Sequence, residues 1–403
     1  MKKKNTKPGS EPLRFAHPFF TTQPVAARKA VPRVGKQLLT HIQGNLQAVP
    51  APKRTPVMTL ADVIGDQASQ EIQATGSMRF HAVGDTGKGA NSPQGDVAEA
   101  MATDYNAAKP HTASPAFFFH LGDVIYGPGK DNAYRGEFYE PYVHYPGKIV
   151  ATPGNHDGEV FPKSDPATLK AFLNNFCAAS PSVPAIAGTI FRQTMNQPGV
   201  YWLLNAPFVD IVALYSNAAE NPGFISGTIP GPAQKSWLIQ TLQTIAAQRK
   251  AKPQERKALI LATHHPPYTA GGHSPSTEML ADIDDACNKG GLMPDMFLSG
   301  HAHSYQRYTR DLTFNGRALQ IPYLVAGTGG INDQAVHSAA GKPKTGDHTF
   351  ESSLQGYGYL LVEANATTLT ATMYQVDVKS TTIPKKKSQF DQVKVDLAHG
   401  TVS

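Results

Sequence analysis

Three continuous apolar runs in this chain each lead into a short polar segment, and this pattern limits the possible folds more than any other feature. The runs are Ala116–Leu121, Ile149–Thr152 and Ala258–Ala262. A strand that is apolar at every position is typical of a sheet covered on both faces. Open α/β sheets bind ligands beyond the carboxyl ends of their strands. The polar segments that follow the runs are therefore candidate site loops.

Five polar segments follow predicted strands in this way. They are Gly84-Asp85-Thr86-Gly87, Gly122-Asp123-Val124-Ile125-Tyr126, Gly154-Asn155-His156-Asp157, His264-His265-Pro266-Pro267-Tyr268 and Gly300-His301-Ala302-His303. Each has an ordinary explanation alone, because Asp and Asn are common in turns and Tyr and His often only pack. His301 and His303 alternate with Ala302, so both can face one way from an extended segment. Recurrence after successive buried strands favours one shared site.

Apolar residues recur at helical spacing between these strands, and later strands come in pairs. The predicted helices are Gln94–Lys109, Pro166–Ala178, Pro232–Arg249 and Thr277–Asn288. The predicted hairpins turn at Ala206-Pro207, Asn315-Gly316 and Asn365-Ala366. Alternating strands and helices, followed by hairpins, predict an α/β fold with an added β-rich layer.

The chain divides into three regions by pattern. Residues 1–75 lack clear periodicity and are predicted to be an N-terminal arm, disordered at first and then packed on the domain. Residues 76–378 contain no clear linker and are predicted to form one catalytic domain. Residues 379–403 are predicted to be a basic polar tail. Cys177 and Cys287 are expected to be buried free thiols.

The formal charge of +6 comes largely from lysines near both ends. Such runs are usually solvated, so a nucleic-acid partner is disfavoured, although a basic balance also attracts anionic substrates. No segment approaches the roughly 18 apolar residues of a membrane span. The apolar start at Phe15–Phe20 is too short for a signal-peptide core, so we expect a cytoplasmic protein, with export by another route left open. Nothing in the sequence indicates the oligomeric state.

The polar segments together carry a set of potential metal ligands. These are Asp85, Asp123, Tyr126, Asn155, His156, His264, His301 and His303. Oxygen and imidazole ligands in this mixture suit Fe, Zn or Mn better than Ca or Mg. The set exceeds what one ion needs. Two ions about 3.5–4 Å apart would accommodate it, generally with one bridging carboxylate.

The order of these motifs resembles the calcineurin-like metallophosphoesterase superfamily, specifically its purple acid phosphatase branch. The Tyr of Gly-Asp-Val-Ile-Tyr distinguishes that branch, and the resemblance covers about residues 77–378. It includes Gln234-x-x-Trp237-Leu238 and Gly327-Thr328-Gly329-Gly330. The fourth motif has Leu261 where the family usually has Val. The resemblance implies a four-layer α-β-β-α sandwich of two mixed β-sheets flanked by helices, with the metal site at the C-terminal strand ends.

The resemblance also implies two metal sites. Fe(III) would be held by Asp85, Tyr126 and His303, a divalent Fe, Zn or Mn by Asn155, His264 and His301, and Asp123 would bridge the two ions. The doubled His264-His265 is ambiguous, but the following Pro-x-Tyr selects His264 as the ligand. His265 would then face the substrate as a binding residue.

Two further histidines are the candidate catalytic residues. His156 follows the ligand Asn155 and, by the resemblance, would contact phosphate and protonate the leaving group. His273 stands at about the offset of a second phosphate-facing histidine, although a solvent-exposed loop position is the alternative. Asp157 is a candidate for orienting His156 through a hydrogen bond to its ring.

The implied function is hydrolysis of phosphate monoesters by a dinuclear-metal, acid phosphatase-like enzyme, through attack of a metal-activated water. A phosphodiesterase or nucleotide hydrolase on the same metal core is the closest alternative. A non-catalytic scaffold is the alternative from another class. The expected partner is a phosphorylated small molecule or protein, with no membrane partner. Gly127–Pro146 and Gly158–Pro198 are predicted to determine which substrate is accepted.

Overall fold

The apolar runs form strands of two β-sheets in a computed structural model, which describes residues 46–126, 132–158, 168–337, 340–341 and 344–403. The strands are β1 (Val57–Thr59), β2 (Ser77–Val83), β3 (Phe117–His120), β4 (Lys148–Ala151), β5 (Trp202–Asn205), β6 (Val209–Ala213), β7 (Ala258–Ala262), β8 (Met296–Ser299), β9 (Tyr305–Phe314), β10 (Arg317–Ala326), β11 (His348–Leu354), β12 (Tyr357–Asn365), β13 (Thr368–Val376), β14 (Lys387–Asp396) and β15 (Thr401–Val402). The α-helices are α1 (Leu60–Ile64), α2 (Asp66–Thr75), α3 (Pro93–Ala102), α4 (Asn155–Gly158), α5 (Lys170–Phe176), α6 (Ala233–Ala251) and α7 (Thr277–Gly290).

Both sheets are mixed. The first has the order β1-β5-β6-β7-β8-β10-β9-β11, and its neighbours β6, β7, β8 and β10 run parallel. The second has the order β15-β14-β13-β12-β2-β3-β4, in which β2, β3 and β4 are parallel and the remaining pairs antiparallel. Each sheet therefore contains a group of adjacent parallel strands whose carboxyl ends point the same way.

The core consists of one apolar layer between the sheets and one on each outer face. In β3, Phe117 and Phe119 enter the layer between the sheets, whereas Phe118 faces the helices outside. Helices α3 and α5 cover this second sheet, and α6 and α7 cover the first. The strand and helix layers thus form the predicted four-layer sandwich of two mixed sheets. Continuous apolar runs were the right signal, since both faces of these strands are buried.

Most predicted elements are present with shifted ends. Helix α3 ends at Ala102 rather than Lys109, and α5 spans only Lys170–Phe176. The hairpin at Asn315-Gly316 is confirmed, and both residues have the positive φ (51° and 78°) that a type I′ turn needs. Cys177 and Cys287 are buried free thiols, as expected. Residues 127–131 and 159–167, within the predicted specificity loops, lie outside the described residues.

The second half of the predicted N-terminal arm belongs to the folded domain. Strand β1 pairs in parallel with β5, and Met58, Leu60 and Ile72 join the core between the sheets. Thr59 caps α1, because its hydroxyl accepts the N–H of Asp62 at 3.2 Å. Residues 46–75 thus pack on the domain, as predicted for the later part of the arm, but no boundary near residue 75 separates them from it. Residues 1–45 lie outside the described residues.

The prediction of a polar tail after residue 378 is also wrong. Strand β14 pairs with β13 along its length and carries β15 on its other side. Val393, Val395 and Leu397 alternate into the core between the sheets. Arg307, on β9, binds Asp391 of β14 through two nitrogens at 2.7 and 3.1 Å. Among the described residues, no helix is long and apolar enough to cross a membrane.

Candidate metal centre

The loops after the parallel strands of both sheets converge at one place. Asp85, Asp123 and Asn155 follow β2, β3 and β4 of one sheet. His264 follows β7 of the other sheet, and His301 and His303 follow β8. Oxygen donors thus come mainly from one sheet and nitrogen donors from the other. Asp85, Asp123, Asn155, His264 and His301 are all at most 1% exposed.

Backbone conformation in these loops is unusual. Asp85, Asp123 and His301 have φ of 60°, 52° and 69°, in the left-handed region that residues other than glycine rarely adopt. Such positions cost free energy and cluster at functional sites. Here the left-handed residue turns the chain sharply at the end of a buried strand, so that its side chain faces the cluster.

Glycine is needed next to Asn155 because the loops approach each other closely. A Cβ at Gly154 would lie only 2.1 Å from Oδ1 of Asp123. A Cβ at Gly300 would lie 2.5 Å from Oδ2 of Asp85. Any side chain at either position would push a carboxylate out of the cluster. The glycines of the Gly-Asn-His-Asp and Gly-His-x-His motifs therefore have a steric explanation.

Asp85, Tyr126 and His303 form one group of donors. The Tyr126 hydroxyl lies 3.2 Å from Oδ1 of Asp85 and 3.2 Å from Nε2 of His303, and the last two atoms are 3.7 Å apart. Nδ1 of His303 lies 3.1 Å from the carbonyl oxygen of Asn332, to which it can only donate. Neutral His303 therefore turns the lone pair of Nε2 toward Asp85 and Tyr126.

Asp123, Asn155, His264 and His301 form the second group. Nδ1 of His264 donates to the carbonyl oxygen of Leu121 at 2.9 Å. Nε2 of His264 lies 3.3 Å from Oδ2 of Asp123 and 3.1 Å from Oδ1 of Asn155. Oδ2 of Asp123 is buried and accepts no hydrogen bond from the described residues. Asp123, His264 and His301 each bring one ligand atom within 4.8 Å of the other two, a spacing that can hold a metal ion.

The electrostatics of the cluster favour an added positive charge. Burial alone lowers the pKa of His264, but the carboxylates of Asp123 and Asp85 outweigh burial and raise this pKa to about 9. Burial raises the pKa of Asp85 to about 7. A buried carboxylate oxygen without a donor and several lone pairs directed at one another are costly unless a cation balances them. Carboxylate, phenol, amide and imidazole donors fit Fe, Zn or Mn.

The two candidate catalytic histidines lie beside this cluster. His156 donates its backbone N–H to Oδ1 of Asp123 at 2.9 Å, and its ring centroid is 4.5 Å from that of Tyr126. The ring of His273 is 4.0 Å from that of His301 and 5.7 Å from that of His303. His273 therefore belongs to the site and not to a remote solvent loop.

A family model described as Calcineurin-like phosphoesterase matches residues 78–305, more than half of the 403-residue chain. The chain belongs to the calcineurin-like phosphoesterases. The matched region contains every predicted ligand from Asp85 to His303.

This phosphoesterase is a distant relative of purple acid phosphatases. It is 25% identical over 259 residues to the protein named Probable purple acid phosphatase 20 of Arabidopsis thaliana, an alignment covering 61% of this chain and 53% of the relative. The chain thus spans about half the length of that relative.

Solved structures show the same fold at low identity. Purple acid phosphatase PPD1 from yellow lupin (Lupinus luteus) has a TM-score of 0.51 and 13% identity, with 86% of this chain and 55% of that chain covered. GAP50, described as the anchor in the inner membrane complex of Plasmodium, has a TM-score of 0.50 and 12% identity, with 78% and 89% covered. These likenesses concern the fold alone, since one fold serves several functions.

Two residues of the phosphoesterase motifs do not make the contacts predicted for them. His265 is fully buried; its Nδ1 lies 2.8 Å from the Ser216 hydroxyl and its Nε2 lies 2.8 Å from the carbonyl oxygen of Ala219. Both ring nitrogens are therefore used within the protein, which contradicts a substrate-facing role. The Asp157 carboxylate accepts the backbone N–H groups of Gly154 and Val124 at 2.8 and 3.1 Å. It joins two site loops.

Sequence reasoning missed the residues that the loop after β6 brings to the phosphoesterase site. Glu220 accepts the amide N–H of Asn155 at 3.1 Å, and Asn221 lies 3.2 Å from both His301 and His273. No sequence motif marks these two residues, because only the parallel pairing of β6 with β7 brings the end of β6 to the site. His120 was missed inside an apolar run; it accepts the N–H of Gly122 at 3.2 Å and faces the Thr86 hydroxyl at 2.9 Å.

Proposed function

We propose that this phosphoesterase hydrolyses phosphate monoesters with two bound metal ions. The observation that carries the proposal is Oδ2 of Asp123, a buried carboxylate oxygen between the two groups of ligands that accepts no hydrogen bond from the described part of the chain. On one side it lies 3.3 Å from His264. On the other side, burial raises the pKa of Tyr126, and the carboxylates of Asp85 and Asp123 raise it further. Asp123 therefore also acts on the group formed by Asp85, Tyr126 and His303. A bridging carboxylate would have this position.

We assign Asp85, Tyr126 and His303 to Fe(III), and Asn155, His264 and His301 to a divalent Fe, Zn or Mn. A phenolate and carboxylates favour a trivalent hard ion, whereas imidazoles and an amide favour a divalent ion. The distant likeness to a protein named as a probable purple acid phosphatase supports this choice. When bound, the two ions would supply charge neutralisation for the phosphoryl oxygens and an activated water.

The chain's own residues would position the substrate and move a proton. His156 is held by its backbone to Asp123 and by ring contact to Tyr126, at the rim of the cluster. His273 lies against His301. Their N–H groups can donate to a phosphoryl oxygen, and either ring can return a proton to an alkoxide leaving group.

The test combines metal analysis with two substrates. We expect the purified protein to contain about two metal ions per chain and to hydrolyse p-nitrophenyl phosphate faster than bis(p-nitrophenyl) phosphate. Faster cleavage of the diester would favour the phosphodiesterase alternative. A protein that neither retains nor binds metal would overturn the proposal and support a scaffold, a role consistent with a fold shared with the anchor GAP50.

A further inference from the structure

The loop between β6 and α6 is held rigidly against the metal centre. Phe224 donates its N–H to the carbonyl oxygen of Ser216 at 2.9 Å, which closes the loop on itself. Gln234 at the start of α6 binds the backbone of Tyr215 and Ile225. Nε2 of the buried His265 donates to Ala219 inside the loop. Glu220 and Asn221, at its tip, are therefore fixed relative to the site.

Asn221 makes one contact that identifies the two ends of its amide. Its Oδ1 accepts the backbone N–H of Ser274 at 3.2 Å, and a backbone N–H can only donate. Oδ1 also lies 3.2 Å from Nε2 of His301. Neutral His301 must therefore carry its proton on Nε2, and the lone pair of Nδ1 remains for a metal ion.

The other end of the same amide faces His273. Nδ2 of Asn221 lies 3.2 Å from Nδ1 of His273, which can accept a hydrogen bond from it. On the opposite side of the ring, Nε2 of His273 lies 3.3 Å from Nε2 of Gln334. The ring of His273 is therefore held between the side-chain amides of Asn221 and Gln334.

Glu220 acts in the same way on Asn155. Its Oε2 accepts from Nδ2 of Asn155 at 3.1 Å, which turns Oδ1 of Asn155 toward Nε2 of His264. Its Oε1 lies 3.8 Å from Nδ1 of His273. Without this carboxylate, the amide of Asn155 could rotate and present N–H groups, which do not bind metals.

We propose that Glu220 and Asn221 form a positioning pair that sets the ligand atoms of Asn155 and His301 and holds the ring of His273 beside them. The pair would keep Oδ1 of Asn155 and Nδ1 of His301 available to the metal. This inference rests on the proposed function in assigning those three residues. Partners of metal-binding residues typically contribute 10–100-fold to metal affinity or activity.

The kinetic test uses graded substitutions in the full chain loaded with Zn²⁺. Asn221→Asp keeps the oxygen that His301 needs but loses the donor to His273, so kcat for p-nitrophenyl phosphate should fall about 10–100-fold with Zn²⁺ retention against a chelator unchanged. Asn221→Ala should lower both kcat and Zn²⁺ retention. Glu220→Gln retains an acceptor for Asn155 and should keep Zn²⁺, whereas Glu220→Leu should weaken Zn²⁺ retention about tenfold or more.

Asn106→Asp is the matched control, because Asn106 is exposed in a turn ahead of β3, at the sheet edge away from the site. Its kinetics and Zn²⁺ retention should equal those of the wild type. Wild-type values in all four Asn221 and Glu220 variants would overturn the positioning role. So would equal losses in Asn221→Asp and Asn221→Ala, which indicate general disruption.

Histidine ¹⁵N spectra of the metal-free protein separate this inference from the proposed function. They should show His301 protonated on Nε2 in the wild type and in Asn221→Asp, which keeps the accepting oxygen. A wild type that binds no Zn²⁺ but gives these spectra would contradict the proposed function and support the hydrogen bonding of the pair. A His301 protonated on Nδ1 would contradict the pair itself.

Discussion

Strand β2 contributes to two buried polar clusters that differ in how their charges are balanced. His81, within the strand, lies 2.9 Å from the Tyr145 hydroxyl and 3.0 Å from Oδ2 of Asp104. Lys387 of β14 binds Oδ1 of Asp104 at 2.6 Å. Asp85, just beyond the end of β2, belongs to the metal centre instead, where Oδ2 of the neighbouring Asp123 accepts no hydrogen bond from the described residues.

The two clusters show what separates a structural polar network from a ligand site. Burial opposes ionisation of Asp104, but hydrogen bonds from His81 and Lys387 outweigh it and lower its pKa to about 2. Every charge there meets an opposite charge or a donor supplied by the protein. In the metal centre, lone pairs face one another and burial raises the pKa of Asp85 to about 7. An incomplete balance indicates a missing ligand, whereas a complete one indicates a structural role.

The most direct test of this comparison is to make the same Asp→Asn substitution in each cluster. Asp123→Asn should reduce phosphatase activity by about 1000-fold, because several kcal/mol of transition-state stabilisation depend on the metal ions. It should also lower metal content. Asp104→Asn is the matched control, and should retain metal content and activity. Kinetics and elemental analysis check both; an active, metal-replete Asp123→Asn protein would contradict the bridging role.

Removing the charge partner in the structural cluster should affect stability and leave the metal centre intact. Nζ of Lys387 lies 2.6–3.0 Å from oxygen atoms of Asp104, Tyr359, Ala100 and Thr103, and its side chain is 22% exposed. Lys387→Met should lower the free energy of unfolding by about 2–3 kcal/mol, since Asp104 loses its cation. Urea denaturation measures this loss. Lys394→Met, elsewhere on β14, is the control.

The cluster around Asp104 also predicts how the free energy of unfolding depends on pH. In the folded protein the pKa of Asp104 is lowered from 3.8 to about 2. Its contribution to the free energy of unfolding is therefore fully present above pH 3.8 and is lost as the pH falls toward 2. In Lys387→Met the loss should begin at higher pH. An identical acid unfolding curve in the variant and the wild type would contradict the ion pair.

A bound metal should stabilise the protein through the other cluster alone. Zn²⁺ at 100 times its Kd should raise the free energy of unfolding by about 2.7 kcal/mol, and a chelator should remove the gain. Because the clusters are separate, Lys387→Met should show the same gain, within about 0.5 kcal/mol. Thermal denaturation with and without Zn²⁺ checks this additivity, and a gain that disappears in the variant would indicate coupling between the clusters.

The smallest expected change in rate comes from the phenol. Tyr126→Phe should abolish any visible absorption band of the iron-loaded protein and leave kcat within about tenfold, since a phenolate supplies charge and not the nucleophile. An absorption spectrum and kinetics of the same preparation check both statements. A visible band that persists in Tyr126→Phe would show that Tyr126 does not bind iron.

The sequence was most informative where function and local structure coincide. Asp85, Asn155 and His264 each follow a buried strand inside a contiguous motif, so a short stretch of chain reports both the strand and the donor. Asn221 carries no such signal, because its partners His273 and His301 are distant in sequence and are brought together only by the pairing of β6, β7 and β8.

Strands β1 and β14, in the predicted arm and tail, were missed for a related reason. Strand β1 is only three residues long, too short for a period, and exists because β5 pairs with it. Strand β14 has alternating Val393 and Val395, but three consecutive lysines before and within its start indicate a solvated tail. One of them, Lys387, is instead the partner of Asp104. Local composition does not reveal such tertiary partners.

The division of ligands between the two sheets has a consequence for biosynthesis. A nascent chain emerges from the ribosome with Asp85, Asp123, Tyr126 and Asn155 well before His264, His301 and His303. The sheet that contains β2, β3 and β4 supplies the earliest donors but is completed last, since β12 pairs with β2 and β13 to β15 follow it only after residue 357. A partly synthesised chain therefore carries these oxygen donors without the imidazoles of His264, His301 and His303. We expect metal loading to follow release of the chain, and cells that limit iron or zinc to accumulate folded, metal-free protein.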